Sequence, residues 1–157
     1  KINSKNEIEY NSNKLSRTFI DNLNLKIVLA YGRINYMKQF SIKGGNLKCK
    51  GNINLLDEFP LLFFNCSIFS KDKKKLLKEF SIKTKKEQEP LNIKFEGNLN
   101  ILNNKINLKN IMINDDYVAS KNDLKYFKDS FEAVFFKKNF FEIFNLKKVK
   151  LFVLEVS

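Results

Sequence analysis

A mainly β (α+β) fold is what this sequence predicts: a curved antiparallel β-meander with one apolar face, a short helix near 71–79 and an amphipathic C-terminal helix near 120–136. Two patterns predict it. Apolar residues recur with a period of two between tight-turn signals through the first two thirds of the chain, the signature of half-buried strands. After residue 119 the period changes to that of a helix.

The first strand reads Leu23, Leu25, Ile27, Leu29 and Tyr31, alternating with Asn24, Lys26, Val28 and Ala30. Gly32-Arg33, with glycine first, predicts a two-residue hairpin turn of the II′ kind. The return strand carries Ile34, Tyr36, Phe40 and Ile42. A turn centred there sets Leu29 against Tyr36, Leu25 against Phe40 and Leu23 against Ile42. Gly44-Gly45 is the next turn signal, followed by Leu47, Cys49, Ile53 and Leu55 among Lys48, Lys50, Asn52 and Asn54. It predicts the pairs Ile42–Leu47, Phe40–Cys49, Tyr36–Ile53 and Ile34–Leu55. A third turn near Asp57-Glu58, ahead of Pro60, leads into Leu62, Phe64, Cys66 and Ile68, with Ile53 opposite Leu62 and Cys49 opposite Cys66. All three hairpins place their apolar residues on one face, and a slip of one residue in any of them would destroy that agreement. The other face is solvated, with Lys, Asn, Gln and Ser interrupted by Leu61 and Phe63.

Residues 71–79 combine strong helix formers. A brief strand is expected at 80–83 and a charged loop at 84–89, ending at Pro90. Ile93, Phe95, Leu99 and Ile101 then lead through Asn103-Asn104 to Ile106, Leu108 and Met112. This fourth hairpin pairs Leu99 with Leu108, Ile101 with Ile106 and Phe95 with Met112. Ile111 and Ile113 break its parity, which predicts a bulge or burial of both faces. Ser120 and Asp123 form a capping-box pattern before Leu124, Phe127, Phe131, Val134 and Phe135 at helical spacing. A helical turn at 140–144 and a last strand through Val149, Leu151 and Val153 complete the chain. Residues 1–17 are polar and read as a lead-in or part of a preceding unit, leaving 18–157 as a single domain, a fragment of a longer protein that does not begin with Met.

Composition narrows the chemistry. The 157 residues include no His and no Trp, two Cys and 16 Phe. Without His, imidazole-based triads and His-ligated zinc are excluded, and two Cys cannot make a structural zinc site. Asp57-Glu58 and Asp115-Asp116 are acidic pairs at turns with no convergent third ligand, so solvated turn roles are expected. No phosphate-cradling glycine loop or nucleophile elbow is present. An enzyme is therefore not expected, nor a cofactor or metal.

The formal net charge is +12, from 29 Lys+Arg against 17 Asp+Glu. Such charge attracts nucleic acid or anionic lipid, or it reflects the Lys, Asn and Ile bias of an AT-rich genome. Dispersal of the lysines and the scarcity of arginine (Arg17 and Arg33 alone) favour the second explanation. Nucleic acid is not the expected partner, because the aromatics share a face with Leu and Ile while the lysines lie opposite. No apolar run approaches the ~20 residues of a membrane-spanning helix.

Cys49 and Cys66 fall directly opposite each other on adjacent strands. They could bridge in an oxidising compartment. Because directly cross-strand bridges are strained, small apolar filling is the expected role.

The chain also repeats itself. GNINLL at 51–56 matches GNLNIL at 97–102, and FSIK occurs at 40–43 and 80–83. Together with KGGNLKCKGNINL and LNIKFEGNLNILNNKINLKNI, residues 34–109 resemble the C-terminal region of AsmA-like proteins of Gram-negative bacteria. That resemblance implies a periplasmic module, anchored to the inner membrane through a segment outside this chain and joined to the rest of its parent chain. It implies an apolar β-groove that holds phospholipid or meets a membrane surface, serving lipid transport or outer-membrane biogenesis. The lipid-facing residues would be Leu25, Leu29, Tyr36, Phe40, Leu47, Ile53, Leu55, Leu62, Phe64, Phe95, Leu99 and Leu108. The residues alone leave open a structural or interaction domain in which the C-terminal helix closes the same face as an ordinary core.

Overall fold

A computed structural model describes residues 3–12, 20–80, 82, 89–136, 147–148 and 151–152. Eight antiparallel strands form one open sheet in strict chain order. They are β1 (Ser4–Asn11), β2 (Ile20–Ala30), β3 (Arg33–Ile42), β4 (Gly45–Asn54), β5 (Leu61–Ser70), β6 (Leu91–Asn100), β7 (Lys105–Ile113) and β8 (Tyr117–Val118). Helix α1 (Lys73–Glu79) lies between β5 and β6, and α2 (Lys121–Phe135) follows β8.

The polar lead-in contains a strand. β1 pairs with β2 from Ser4 opposite Leu29 to Asn11 opposite Asn22. Its outer-face residues Lys5, Glu7 and Glu9 are charged, and Glu7 reaches Lys26 at 3.5 Å. Charged side chains on an edge strand discourage pairing with other chains.

Three of the four expected registers are displaced; they keep their faces except at Met112, expected opposite Phe95, which the bulge turns to the polar face opposite Lys94. The first turn is Tyr31-Gly32, not Gly32-Arg33, and both residues have positive φ (52° and 75°), as a I′ hairpin requires. Leu29 therefore faces Ile34, Leu25 faces Lys38 and Leu23 faces Phe40. The second turn is Lys43-Gly44, with Gly44 at φ 89°, so Ile42 faces Gly45, Phe40 faces Leu47, Tyr36 faces Gly51 and Ile34 faces Ile53. In the fourth hairpin Leu99 faces Ile106, Gly97 faces Leu108 and Phe95 faces Ile111, because Ile101 lies in the four-residue turn that ends at Asn104. The register shift between Glu96 and Gly97 leaves Lys109 as an extra residue, the bulge that the parity break predicts. The third register agrees: Ile53 faces Leu62 and Cys49 faces Cys66.

The GN-repeat is a structural repeat. Gly51 and Gly97 occupy the same cross-strand row, and the following Ile53 and Leu99 are both buried. Asn54 and Asn100 end the two strands alike. Their side-chain oxygens accept from the backbone N–H of Leu56 (3.3 Å) and Leu102 (3.0 Å), an Asx turn in each case. The FSIK repeat is not structural. Residues 40–42 lie in β3, whereas Phe80 is the C-cap of α1 and Ile82 is not in a strand. Ser81 and Lys83 lie outside the described residues.

Helix α1 begins at Asp72, whose carboxylate accepts from the Lys75 N–H at 3.0 Å. Its buried Leu76 packs on Gly45 at the start of β4. Helix α2 carries the expected capping box between Ser120 and Asp123. Phe131 and Phe135 stack 4.6 Å apart, and Phe152 packs on both. Leu151 and Phe152 have helical backbone where a strand was expected, while Val149, Val153 and the turn at 140–144 lie outside the described residues.

Glu132 fastens α2 to the sheet. One carboxylate oxygen accepts from the Ile106 backbone N–H (3.0 Å) and the other meets Lys105 Nζ (3.0 Å). Among the described residues no further strand flanks this end of β7, and the carboxylate satisfies its edge N–H. Glu132→Ala is expected to cost about 1.5–3 kcal/mol, the range for hydrogen bonds to charged groups, whereas Lys105→Ala costs about 0–1 kcal/mol because that ammonium is exposed. Urea unfolding of both variants checks the difference, and equal losses would contradict it.

Asp123 accepts from Tyr117 Oη (2.7 Å) and the Ser120 N–H (2.9 Å). These bonds, the tyrosine's first, hold its carboxyl below the ordinary carboxylate range and push the Tyr117 hydroxyl up. A carboxylate with a depressed folded-state pKa contributes stability above its unfolded-state pKa and loses it as pH falls through the folded value. Amide protection factors in the first turn of α2, corrected for the intrinsic exchange rate at each pH, should therefore fall under acid. Asp123→Asn should remove that dependence.

Candidate functional site

The apolar face emerges from the registers. Partners across an antiparallel ladder share a face, so each cross-strand row can be followed through the sheet. One row runs Leu23, Phe40, Leu47, Ile68, Ile93, Ile113. Another runs Leu29, Ile34, Ile53, Leu62, Leu99, Ile106. Of the residues expected to line this face, eleven do so: Leu25, Leu29, Tyr36, Phe40, Leu47, Ile53, Leu62, Phe64, Phe95, Leu99 and Leu108. Leu55 does not. It follows the end of β4 and is 45% exposed in the turn.

Burial is graded across the face. Ile53, Leu99 and Ile106 are buried, but most residues of β2, β3 and the first half of β4 are only half-buried. Among the described elements α2 packs closely on β7 and on no other strand. The middle of the sheet is not covered by α2.

Between these rows runs Ile27, Tyr36, Gly51, Phe64, Gly97, Leu108. Aromatics and glycines alternate. A Cβ on Gly51 would lie 2.7 Å from Tyr36 Cε1, and one on Gly97 2.9 Å from Phe64 Cζ. The rings close over the bare backbone beside them, and the two glycines allow the sheet to bend along this line. Phe64 also meets Phe95 edge-on at 6.2 Å.

The alternation of apolar residues in β3 passes over Lys38. It lies on the apolar face between Leu25 and Cys49, the one charged side chain on that face of β2–β7 among the described residues. Its ammonium sits 5.2 Å from the centroid of the Phe40 ring, and burial lowers its pKa. Burial likewise pushes the Tyr36 hydroxyl up. The period-two pattern signals Lys38 by parity alone, since residues 36 and 40 are both on the face.

Cys49 and Cys66 are bonded, which corrects the expectation of simple apolar filling. Their Cα atoms are 4.1 Å apart, the close approach of a directly opposed pair. The bond staples β4 to β5 in the row Leu25, Lys38, Cys49, Cys66, Phe95, Ile111.

The acidic pairs serve turns. Asp57 accepts from Asn54 Nδ2 (2.6 Å), and Asp115 pairs with Lys94 (2.6 Å). Among the described residues no cluster of three potential metal ligands occurs, and no helix is long and apolar enough to cross a membrane. Comparison with family models, curated proteins and solved structures finds no match.

The disulfide closes a loop with a sequence separation of 17, for which loop entropy gives roughly 3 kcal/mol of stabilisation. Unfolding by urea should shift to lower concentration by that amount in Cys49→Ser/Cys66→Ser, and reductant should not shift the variant further. An unchanged midpoint would show that the bond adds nothing.

Proposed function

We propose that this chain is a non-enzymatic module of a bacterial envelope protein whose apolar face contributes a β-groove for phospholipid, in transport or outer-membrane biogenesis. The carrying observation is that the apolar face, interrupted by one charged side chain, Lys38, continues through β2–β7 while α2 packs closely on β7 alone. Apolar surface left half-exposed over several strands calls for an occupant. Strands of about ten residues extend roughly 33 Å at ~3.3 Å per residue, enough for an acyl chain. The occupying residues are Leu25, Leu29, Tyr36, Phe40, Leu47, Ile53, Leu62, Phe64, Phe95, Leu99 and Leu108.

Two further features support the reading. The resemblance of residues 34–109 to AsmA-like proteins supplies the periplasmic setting, anchorage to the inner membrane by a segment outside this chain, and the rest of the parent chain as a partner. The Cys49–Cys66 bond belongs to an oxidising compartment.

Photocrosslinking tests the proposal. A benzophenone side chain at Phe40 or Leu47 should label co-purifying phospholipid, detected by mass spectrometry, while the same group at Lys48 on the opposite face should not. Labelling of the chain's own C-terminal residues from positions 40 and 47, with no lipid adduct, would instead mean an ordinary closed core.

A further inference from the structure

The polar face is hollowed where the glycine row crosses it. A groove of about 560 Å³ opens there, lined among others by Met37, Lys50, Asn52, Phe63, Asn65 and Lys109. We infer that this groove is a second binding site, for a small ligand that carries a phosphate on a less polar body, on the face opposite the apolar one.

The local construction supports this. Lys109 is the extra residue of the β7 bulge, and bulges re-aim side chains. Its ammonium reaches back across β6 to lie 5.7 Å from the ring centroid of Phe63 on β5. Lys50, on β4, is the neighbour of Asn65 across the next ladder. Two lysines that start three strands apart thus line one groove, the Lys109 ammonium over the Phe63 ring, together with the side-chain amides of Asn52 and Asn65. Neither makes an ion pair among the described residues. Lys26, also in the lining, is engaged by Glu7.

A phosphate suits this set. Lysine ammoniums are compact cationic donors and amides are neutral donors, and a tetrahedral oxyanion accepts from several at once. Phe63, 38% exposed, and Met37, 52% exposed, lie with Val28 in the lining of the groove, among Lys and Asn side chains. They offer the body of the ligand an apolar floor. Glu96 is the one carboxylate in the lining and is held by Asn65 Nδ2 at 3.4 Å. It limits how much negative charge the groove accepts, so a monophosphate fits better than a polyanion. The overall charge of +12 draws anions toward the surface without selecting a site. The inference does not depend on lipid occupying the apolar face.

The test uses the whole chain. Glycerol 3-phosphate is titrated while backbone amide shifts are followed, and in a second arm the chain is sedimented with phosphatidylglycerol vesicles and with phosphatidylcholine vesicles. The amides of Phe63, Asn65 and Gly97 should move with glycerol 3-phosphate. Lys50→Ala/Lys109→Ala should weaken binding roughly tenfold or more, as loss of charge-assisted bonds does. Lys48→Ala/Lys73→Ala removes the same charge outside the groove and should change binding less than about twofold. All four lysines are exposed or at helix and strand surfaces, so the variants should fold, and circular dichroism confirms it. Groove shifts with glycerol 3-phosphate identify a soluble phosphate ester. Groove-dependent sedimentation with phosphatidylglycerol alone identifies a lipid headgroup, and either result supports the site. Equal weakening in both double variants, or no binding in either arm, overturns it.

Discussion

Everything in this molecule depends on one apolar face being kept continuous through a run of short connections. In an antiparallel ladder a side chain shares its face with the residue opposite, and neighbours along the strand point the other way. A register error of one residue anywhere between β2 and β7 would put Leu, Ile and Phe beside Lys and Asn for every strand beyond it. The turns enforce the parity. Tyr31-Gly32 and Lys43-Gly44 each hold two residues outside the ladder, and the turn at 101–104 holds four. Even loop lengths preserve the face. Where the count becomes odd, at Lys109, a bulge absorbs the extra residue and returns Ile111 and Ile113 to the apolar side.

This constraint also explains what was legible in the sequence. Period-two alternation is unchanged by a shift of two, so it fixes faces and not partners. Glycine identifies a turn without saying whether it stands first or second in it. At 31–32 the positive φ that a I′ turn demands is shared with Tyr31, an aromatic that carries no turn signal. The β4–β5 register was readable because Pro60 bounds the turn and the two cysteines lie symmetrically about it. The capping box of α2 was readable because it is local chemistry. The strand in the polar lead-in was not, since β1 buries little: Ile8 and Tyr10 are 54% and 43% exposed. It holds its place through backbone pairing with β2, which leaves almost no trace in hydropathy.

The two long edges are finished differently. On β1 the exposed backbone is accompanied by charged residues and by a strand too polar to attract a partner. On the outer edge of β7 the opening half has no strand beside it among the described residues, and α2 takes that place through Glu132. The helix therefore does for an edge what another strand would do. This position also limits its reach over the apolar face. A helix tied to Lys105 and Ile106 lies over β7, several strands at ~4.8 Å each from the Leu25 and Phe40 region.

The faces differ in what local geometry can add. On the apolar side, selectivity has few polar atoms to draw on: Lys38, with its ammonium held near Phe40, and the Tyr36 hydroxyl. A cation among Leu, Ile and Phe raises the cost of leaving that surface dry. On the polar side the same glycines that let Tyr36 and Phe64 close over the backbone hollow the sheet beneath Lys50 and Phe63. A side chain at Gly51 or Gly97 would press on the carbonyl oxygens of Phe63 and Asn107, and relieving that pressure would flatten both faces together.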